Sequence, residues 1–362
     1  MDFAEQELNF MLLLNGTIMA RNSNARVVNG RTIYKRTQLD TWSDFECKHF
    51  LRFTYPQIER ICEAIGLEPI LSFGSVKVKR EFALGLLLYR LAFPCRLFDM
   101  VSKFGMSKSN IGTVISRISD LLYKKFKWGL QFDERQFSRE NCERFSKAIA
   151  DKGAYYEHIV GFIDGTMQQI CRPKDSEQQR VFYNGWKHIH CLKYQAINTP
   201  DGITSSLFGP YGGSSNDRGM LNESQLMRRL SAHFETASPD KWFAIYGDEA
   251  YWFSKHIIPP NRKPFTSDHE KKTNESMSKV RVSIEMEFGK VSQYFAGCKW
   301  KYGNRLNQTK PALKYTLSTV FKNFHTCLNG STATKMFALS PPTLEEYISG
   351  LMRERSENDI DE

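Results

Sequence analysis

The sequence predicts an α/β protein in two parts, an all-α segment followed by a mixed sheet that carries helices. Three observations predict it. Apolar residues recur at helical spacing through about 41–150. Past 150, β-branched runs of strand length take over: HIVGFID (158–164), HCLKYQAIN (190–198) and ITSSLFG (203–209). Helical spacing then returns in 224–234 and 275–296, so helices and strands alternate. A length of 362 residues leaves room for two domains, and 41% hydrophobic with 13% aromatic residues supplies a sizeable core.

Residues 1–40 are polar, rich in Asn, Arg and Thr, and lack periodicity, which predicts a flexible basic arm. Arg21, Arg26, Arg31, Lys35 and Arg36 fall there with no acid among them, a pattern equally that of a solvated tail, a DNA-tracking arm or a nuclear-import-like patch. Within 41–150, EFALGLLLYRLAF (81–93) is a strongly apolar helix ended by Pro94. Residues 95–104 place Leu97, Val101 and Phe104 on one face, and Gly105 breaks the helix. Ser107 then caps a third helix with Ile111, Val114, Ile115, Ile118, Leu121 and Leu122 as its apolar stripe.

Helix, glycine turn and helix over 95–127 resemble a helix-turn-helix, whose second helix reads bases with its N-terminal residues. Lys108, Ser109, Asn110, Thr113 and Arg117 lie off the stripe and are candidate DNA contacts, with Lys124, Lys125 and Lys127 as candidate phosphate contacts. A helical bundle with a solvated basic face is the plainer account.

The sheet segment spans 151–335. Thr199-Pro200-Asp201-Gly202 is a turn signal joining two strands, WFAIYGDEAY (242–251) is a further strand ending in acids, and IIPP (257–260) is a short fifth. Three sequential strands, a helix, a strand, a short strand and a helix make the order of a ribonuclease-H-like sheet. Residues 336–362 form a C-terminal extension whose end, from Arg353, carries five acids.

The net charge of +10 and a pI near 9.1 favour an acidic polymer as partner. The excess is local: residues 71–130 hold eleven Lys and Arg against three Asp and Glu. Mean hydropathy is −0.46, and no apolar run of about 18 residues exists, so no membrane span is expected. Acidic flanks around the apolar patch in MDFAEQELNFMLLLNG argue against a secretory signal. Eight scattered cysteines without a CxxC pair argue against a zinc site, and Cys191 beside His188 and His190 reads as core packing.

In a ribonuclease-H-like sheet the first and fourth strands are neighbours. Asp164 ends the first expected strand, Asp248 ends the fourth, and Glu285 lies in the helix after it. Converging carboxylates are the hard oxygen ligands that Mg²⁺ or Mn²⁺ needs, and paired divalent ions are a way to cut phosphodiesters. Each acid also has an ordinary explanation: a turn start for Asp164, a helix cap for Asp248, an i,i+4 pair with Arg281 for Glu285. Glu287 competes with Glu285, and periodicity does not choose between them. Asp217, in GGSSNDR, is a fourth candidate acid and equally a cap residue.

The ordered stretches GFIDGT, FYNGWKHIH, GPYGGSSNDRG, YGDEAYW and RVSIEMEFGKV resemble the motif series of PIF/Harbinger transposases, within the DDE endonuclease superfamily. The resemblance is strong over about 155–330 and weaker before it. It implies that Asp164, Asp248 and Glu285 are the catalytic acids and metal ligands, with Asp217 as a further ligand. It selects Glu285 over Glu287 because Glu285 stands three residues before the Phe288-Gly289 pair. Lys187 and His190 become candidate DNA contacts, although Gly185-Trp186-Lys187 replaces the family's frequent Gly-Lys-Lys, and Asn274-Glu275-Ser276 its frequent Asn-His-Ser. A Mg²⁺- or Mn²⁺-dependent DNA endonuclease, nuclear, homo-oligomeric and working with a Myb-like partner, is what the resemblance implies. A host-recruited protein that kept the fold without transposition is the other reading.

Overall fold

The computed structural model describes residues 25–28, 31–265 and 267–354, of which 25–28, 31–34, 237 and 283–285 by backbone alone. Arg21 and the acidic end from 355 onward therefore lie outside the described residues. Two compact units are present, one holding the described residues up to Cys62 with Gly66–Ile118, the other Glu63–Ile65 with the chain from Ser119.

The first unit opens with strands β1 (Ala25–Val28) and β2 (Arg31–Tyr34), paired antiparallel with Val28 opposite Arg31. Part of the expected loose arm is thus a hairpin. Helix α1 (Asp44–Leu51) begins in a capping box, Ser43 with Glu46, and α2 (Tyr55–Ile65) follows. A second hairpin, β3 (Ile70–Phe73) and β4 (Val76–Lys79), interrupts the segment expected to be all helix; Gly74 at φ 65° turns it. These strands are only four residues each, too short for a period-2 pattern to stand out.

Helix α3 (Arg80–Ala92) is buried along most of its length and stops before Pro94. Helix α4 (Asp99–Phe104) ends at Gly105, whose φ of 62° is left-handed. Any Cβ there would overlap the Lys35 carbonyl, so only glycine fits. After Ser107, whose Oγ accepts from Asn110 N at 3.3 Å, comes α5 (Lys108–Gln131). Lys103 is absorbed into the core's edge, its ammonium 3.3 Å from the Phe50 ring centroid and near Trp42 and Tyr89.

The second unit is built on a six-stranded sheet. After α6 (Arg139–Ala150) come β5 (Ile159–Gln169), α7 (Ser176–Phe182), β6 (Tyr183–Asn184), β7 (Ile189–Asn198) and β8 (Thr204–Gly212). Helices α8 (Asp217–Glu223) and α9 (Leu226–Ala237) cross to β9 (Ala244–Tyr246), followed by β10 (Ile257–Ile258). Helix α10 (Asp268–Tyr294), α11 (Pro311–Asn329), α12 (Thr332–Phe337) and α13 (Leu344–Leu351) complete the unit. Across the sheet β8 pairs β7, β7 pairs β5, β5 pairs β9 and β9 pairs β10, with β6 also on β7. β5, β9 and β10 run parallel and β7 runs against β5.

Alternation along the strands sorts the side chains onto two faces. Val160, Ile163, Ile197, Ile245 and Ile257 pack with α6 and α9 through Phe145, Leu230 and Phe234. Ile159, Phe162, Ala244, Tyr246 and Ile258 pack the other way, onto Met277 and Val280 of α10 and Phe337 of α12. A bulge between Ile159 and Gly161 puts Ile159 and Phe162, three residues apart, in the same set.

Several boundaries differ from expectation. β5 continues five residues past Asp164, because Gly165–Gln169 pairs with Gln195–Cys191 of β7. Asp164 is therefore mid-strand. β9 stops at Tyr246, two residues short of Asp248, and α10 starts at Asp268 rather than near 275, capped by Ser267. The C-terminal extension is no appendage up to Leu351: Leu344, Tyr347, Ile348 and Leu351 are buried, and Asn323 of α11 donates to the Tyr347 hydroxyl at 2.5 Å. Among the described residues no helix is long and apolar enough to cross a membrane.

Candidate acidic site

Parallel pairing of β5 with β9 sets Phe162 beside Tyr246, so Asp164, still within β5, and Asp248, past the end of β9, each lie two residues beyond that pair. Asp164 shares the face of Phe162, toward α10, by strand alternation. The Arg281 guanidinium of α10 reaches it, Nη2 standing 3.6 Å from Asp164 Oδ2, and Gly165 N donates to Oδ1 at 2.7 Å. Asp248 accepts from Ala250 N at 2.9 Å. Burial raises its pKa, the Ala250 amide and Arg281 oppose that, and Asp217 and Glu249 add to it. Arg281 thus bears on both acids, where a positive charge is needed. It forms an ion pair with Asp164.

Asp217 is the first residue of α8, behind the Asn216 cap. It comes to β5 from the opposite face. A Cβ on Gly165 would stand 2.9 Å from Asp217 Oδ1, so the absent side chain makes room for the carboxylate. Lys193, almost fully buried on β7, donates to the same oxygen at 2.9 Å and to Ser215 O at 2.8 Å. Beside it the Tyr251 hydroxyl accepts from Gln195 Nε2 at 3.1 Å, and burial together with the charges of Asp217, Asp248 and Asp164 drives that phenol far above its usual range. The structure therefore puts Asp164 and Asp248 under the charge of Arg281, while Asp217 packs over Gly165 and pairs with Lys193.

Glu285 lies on α10 by its backbone, and its side chain is outside the described residues. Its rival is committed elsewhere. Glu287 is fully buried, with Oε1 2.8 Å from Lys290 Nζ and Oε2 3.1 Å from Lys322 Nζ on α11, while Ala333 N of α12 donates to Oε1 at 3.3 Å. Among the described residues no group of three or more His, Cys, Asp or Glu gathers as a metal cluster. Asp164 and Asp248, which share Arg281, offer hard carboxylate oxygens, a donor type that fits Mg²⁺ or Mn²⁺ rather than a thiophilic ion.

The candidate DNA contacts fall in both units. On α5, Lys108, Ser109, Arg117 and Lys124 are exposed, while Asn110 and Thr113 are half-buried. Lys125 donates to Ile65 O at 3.4 Å, and Lys127 rests 3.7 Å from the Trp128 ring centroid. Lys187 is exposed on the turn between β6 and β7, its amide held by Asn184 Oδ1 at 2.9 Å. His190 is half-buried, and burial with the Arg172 charge lowers its pKa, which makes it a poor cation at neutral pH. Cys191 is buried, its thiol pushed up to about 11, as core packing requires.

Sequence reasoning passed over Lys193 and the Gly165 gap. The signal for Lys193 was a lone charge within an otherwise strand-like, apolar run. No curated protein and no solved structure matches the chain, whereas residues 163–320, the stretch that contains Asp164, Asp217, Asp248 and Glu285, match the family model described as DDE superfamily endonuclease.

Proposed function

We propose that the chain is a divalent-metal-dependent DNA endonuclease of transposase type, cutting phosphodiester bonds at the ends of an element of the PIF/Harbinger kind and joining the freed end to a target. The observation that carries this reading is the parallel β5–β9 pair, with Asp164 and Asp248 each two residues past the register pair Phe162–Tyr246 and both under the charge of Arg281. The strand order β8-β7-β5-β9-β10, with β5, β9 and β10 parallel, supports a ribonuclease-H-like sheet.

In this reading Asp164, Asp248 and Glu285 would hold the metal, with Asp217 as a further ligand. The bound ions supply charge relief at the phosphate and activation of the attacking oxygen. Lys193 orients Asp217, and Gln195 with Tyr251 closes the wall behind it. Water adds to the phosphorus and the 3′ oxygen leaves as a hydroxyl; in joining, that hydroxyl displaces a 3′ oxygen of the target. The α4–α5 segment serves as a helix-turn-helix, with Lys108, Ser109, Asn110, Thr113 and Arg117 toward bases and Lys124, Lys125 and Lys127 toward phosphates, and Lys187 and His190 are further DNA contacts. A nuclear, homo-oligomeric complex with a Myb-like protein is part of the same proposal.

One observation favours a second reading, a host-recruited DNA-binding or scaffolding protein. Lys193 and Arg281 already neutralise Asp217 and Asp164. Nicking of supercoiled plasmid in Mg²⁺ or Mn²⁺ separates the two. Asp248→Asn is expected to slow nicking at least about 100-fold, since losing even an outer partner of a metal site costs about 10–100-fold. Equal rates for wild type and variant would end the enzyme reading.

A further inference from the structure

The exposed lysines beside Asp248 belong to none of the contacts assigned above. A groove of about 780 Å³ runs from Asp248 between the first half of α10 and the loop after β10, lined by Lys263, Lys271, Lys279 and Arg281. We infer that this groove is the track along which one DNA strand leaves the acidic site, an inference that rests on the nuclease reading.

Three features argue for a strand of phosphates. Lys271 and Lys279 share one face of α10, about 12 Å apart along its axis at 1.5 Å per residue, so the cations form a line rather than a point. Lys263, Lys271 and Lys279 are exposed, and none enters an ion pair among the described residues. Asp248 lines the same groove, and a scissile phosphate has to lie beside it. Asp248, Glu249 and Glu275 also line the groove, against the three lysines and Arg281. A volume of this size belongs to the class of small-ligand clefts, about 300–1,000 Å³, which suits a short run of one strand better than a duplex. Phe265, half-buried in the same wall, offers a ring against which an unpaired base can rest.

The test is fluorescence anisotropy of the full chain with a fluorescein-labelled, mixed-sequence single-stranded DNA oligonucleotide, titrated over a range of salt. The groove triple variant Lys263→Gln, Lys271→Gln, Lys279→Gln is compared with Lys152→Gln, Lys301→Gln, Lys335→Gln, which removes the same charge from exposed positions outside the groove lining. Each phosphate contact on a single strand contributes about 0.7 to the slope of log K against log salt, so losing three lowers it by about 2. If the two lines meet near 1 M salt, affinity at 0.1 M falls about 100-fold. The control is expected to keep the wild-type slope. Equal slopes for wild type and groove variant overturn the track while leaving the nuclease reading standing. An equal or larger loss on the matching duplex overturns the single-strand assignment. A wild-type chain that binds no DNA overturns the track and the nuclease reading together, and the plasmid assay then fails as well.

Discussion

Two glutamates on α10 stand two residues apart, about 200° around the helix. Glu287 faces inward to Lys322 and Lys290; burial alone would raise its pKa, yet the two ammonium groups outweigh that and hold the carboxyl below its usual range. Removing one member of such a buried pair leaves an uncompensated charge, which costs about 3–5 kcal/mol. Glu287→Ala is therefore expected to lose about that much stability in urea denaturation, and the double variant Glu287→Gln, Lys322→Met to regain part of it. A single variant as stable as wild type would show that the pair does not bolt α10 to α11. Glu285→Gln, by contrast, is expected to remove nicking through the site itself. Periodicity along RVSIEMEFGKV could not separate these two positions, because Met286 and Phe288 blur the apolar stripe. What decides Glu287's role is Lys322, thirty-five residues away in sequence, and no local pattern contains that contact.

The β7–β8 turn has a pH dependence of its own. Asp201 is fully buried in it; Thr199 Oγ1 donates to its Oδ1 at 2.6 Å and Ile203 N at 3.3 Å. Burial dominates over these bonds and over Arg144 and Lys322, raising the pKa to about 6. A carboxyl raised above its unfolded value of about 3.9 favours folding in its protonated form. Its contribution is complete below that unfolded value and is lost as pH rises through about 6. Asp201→Asn is expected to flatten the decline of thermal stability between pH 4 and 7 relative to wild type; parallel profiles would count against the assignment. The turn was plain in Thr199-Pro200-Asp201-Gly202, as were the two strands it joins. The two hairpins of the first unit were not, being strands of four residues each. Asp164 was found as a candidate acid but misplaced at a strand end, because the GTMQQ segment lacks the apolar alternation that marks a strand and is held there by its partner β7.

At the scale of the molecule, the division between the units falls inside α5, not at the change of pattern near residue 150. The 24 residues of that helix are one continuous amphipathic stretch, so the sequence shows no seam. Its second half belongs to the core of the later unit: Phe126 meets Phe324 with ring centroids 5.7 Å apart, and Arg353 Nη2 donates to Trp128 O at 2.7 Å. Gly129 lies where any Cβ would overlap the Leu351 backbone. A fragment beginning at Asp151 discards these contacts, and with them Phe132, Phe137, Cys142 and Phe145 of the sheet's buried face. It is expected to melt without a cooperative transition, whereas one beginning at Lys108 keeps a single sharp one; calorimetry of the two distinguishes the outcomes, and a cooperative Asp151 fragment would refute the boundary.

The same helix bears on how such a chain can change by recombination. Loops absorb added or missing residues, but one residue inserted in a helix turns everything after it by about 100°. A crossover at the pattern change near 150 would look harmless in an alignment and would exchange half of a core. Lineages that exchange the first part of this chain for another are therefore expected to break it at the turn before Lys108, where Gly105 already ends a helix, and to inherit the whole of α5 with the acids.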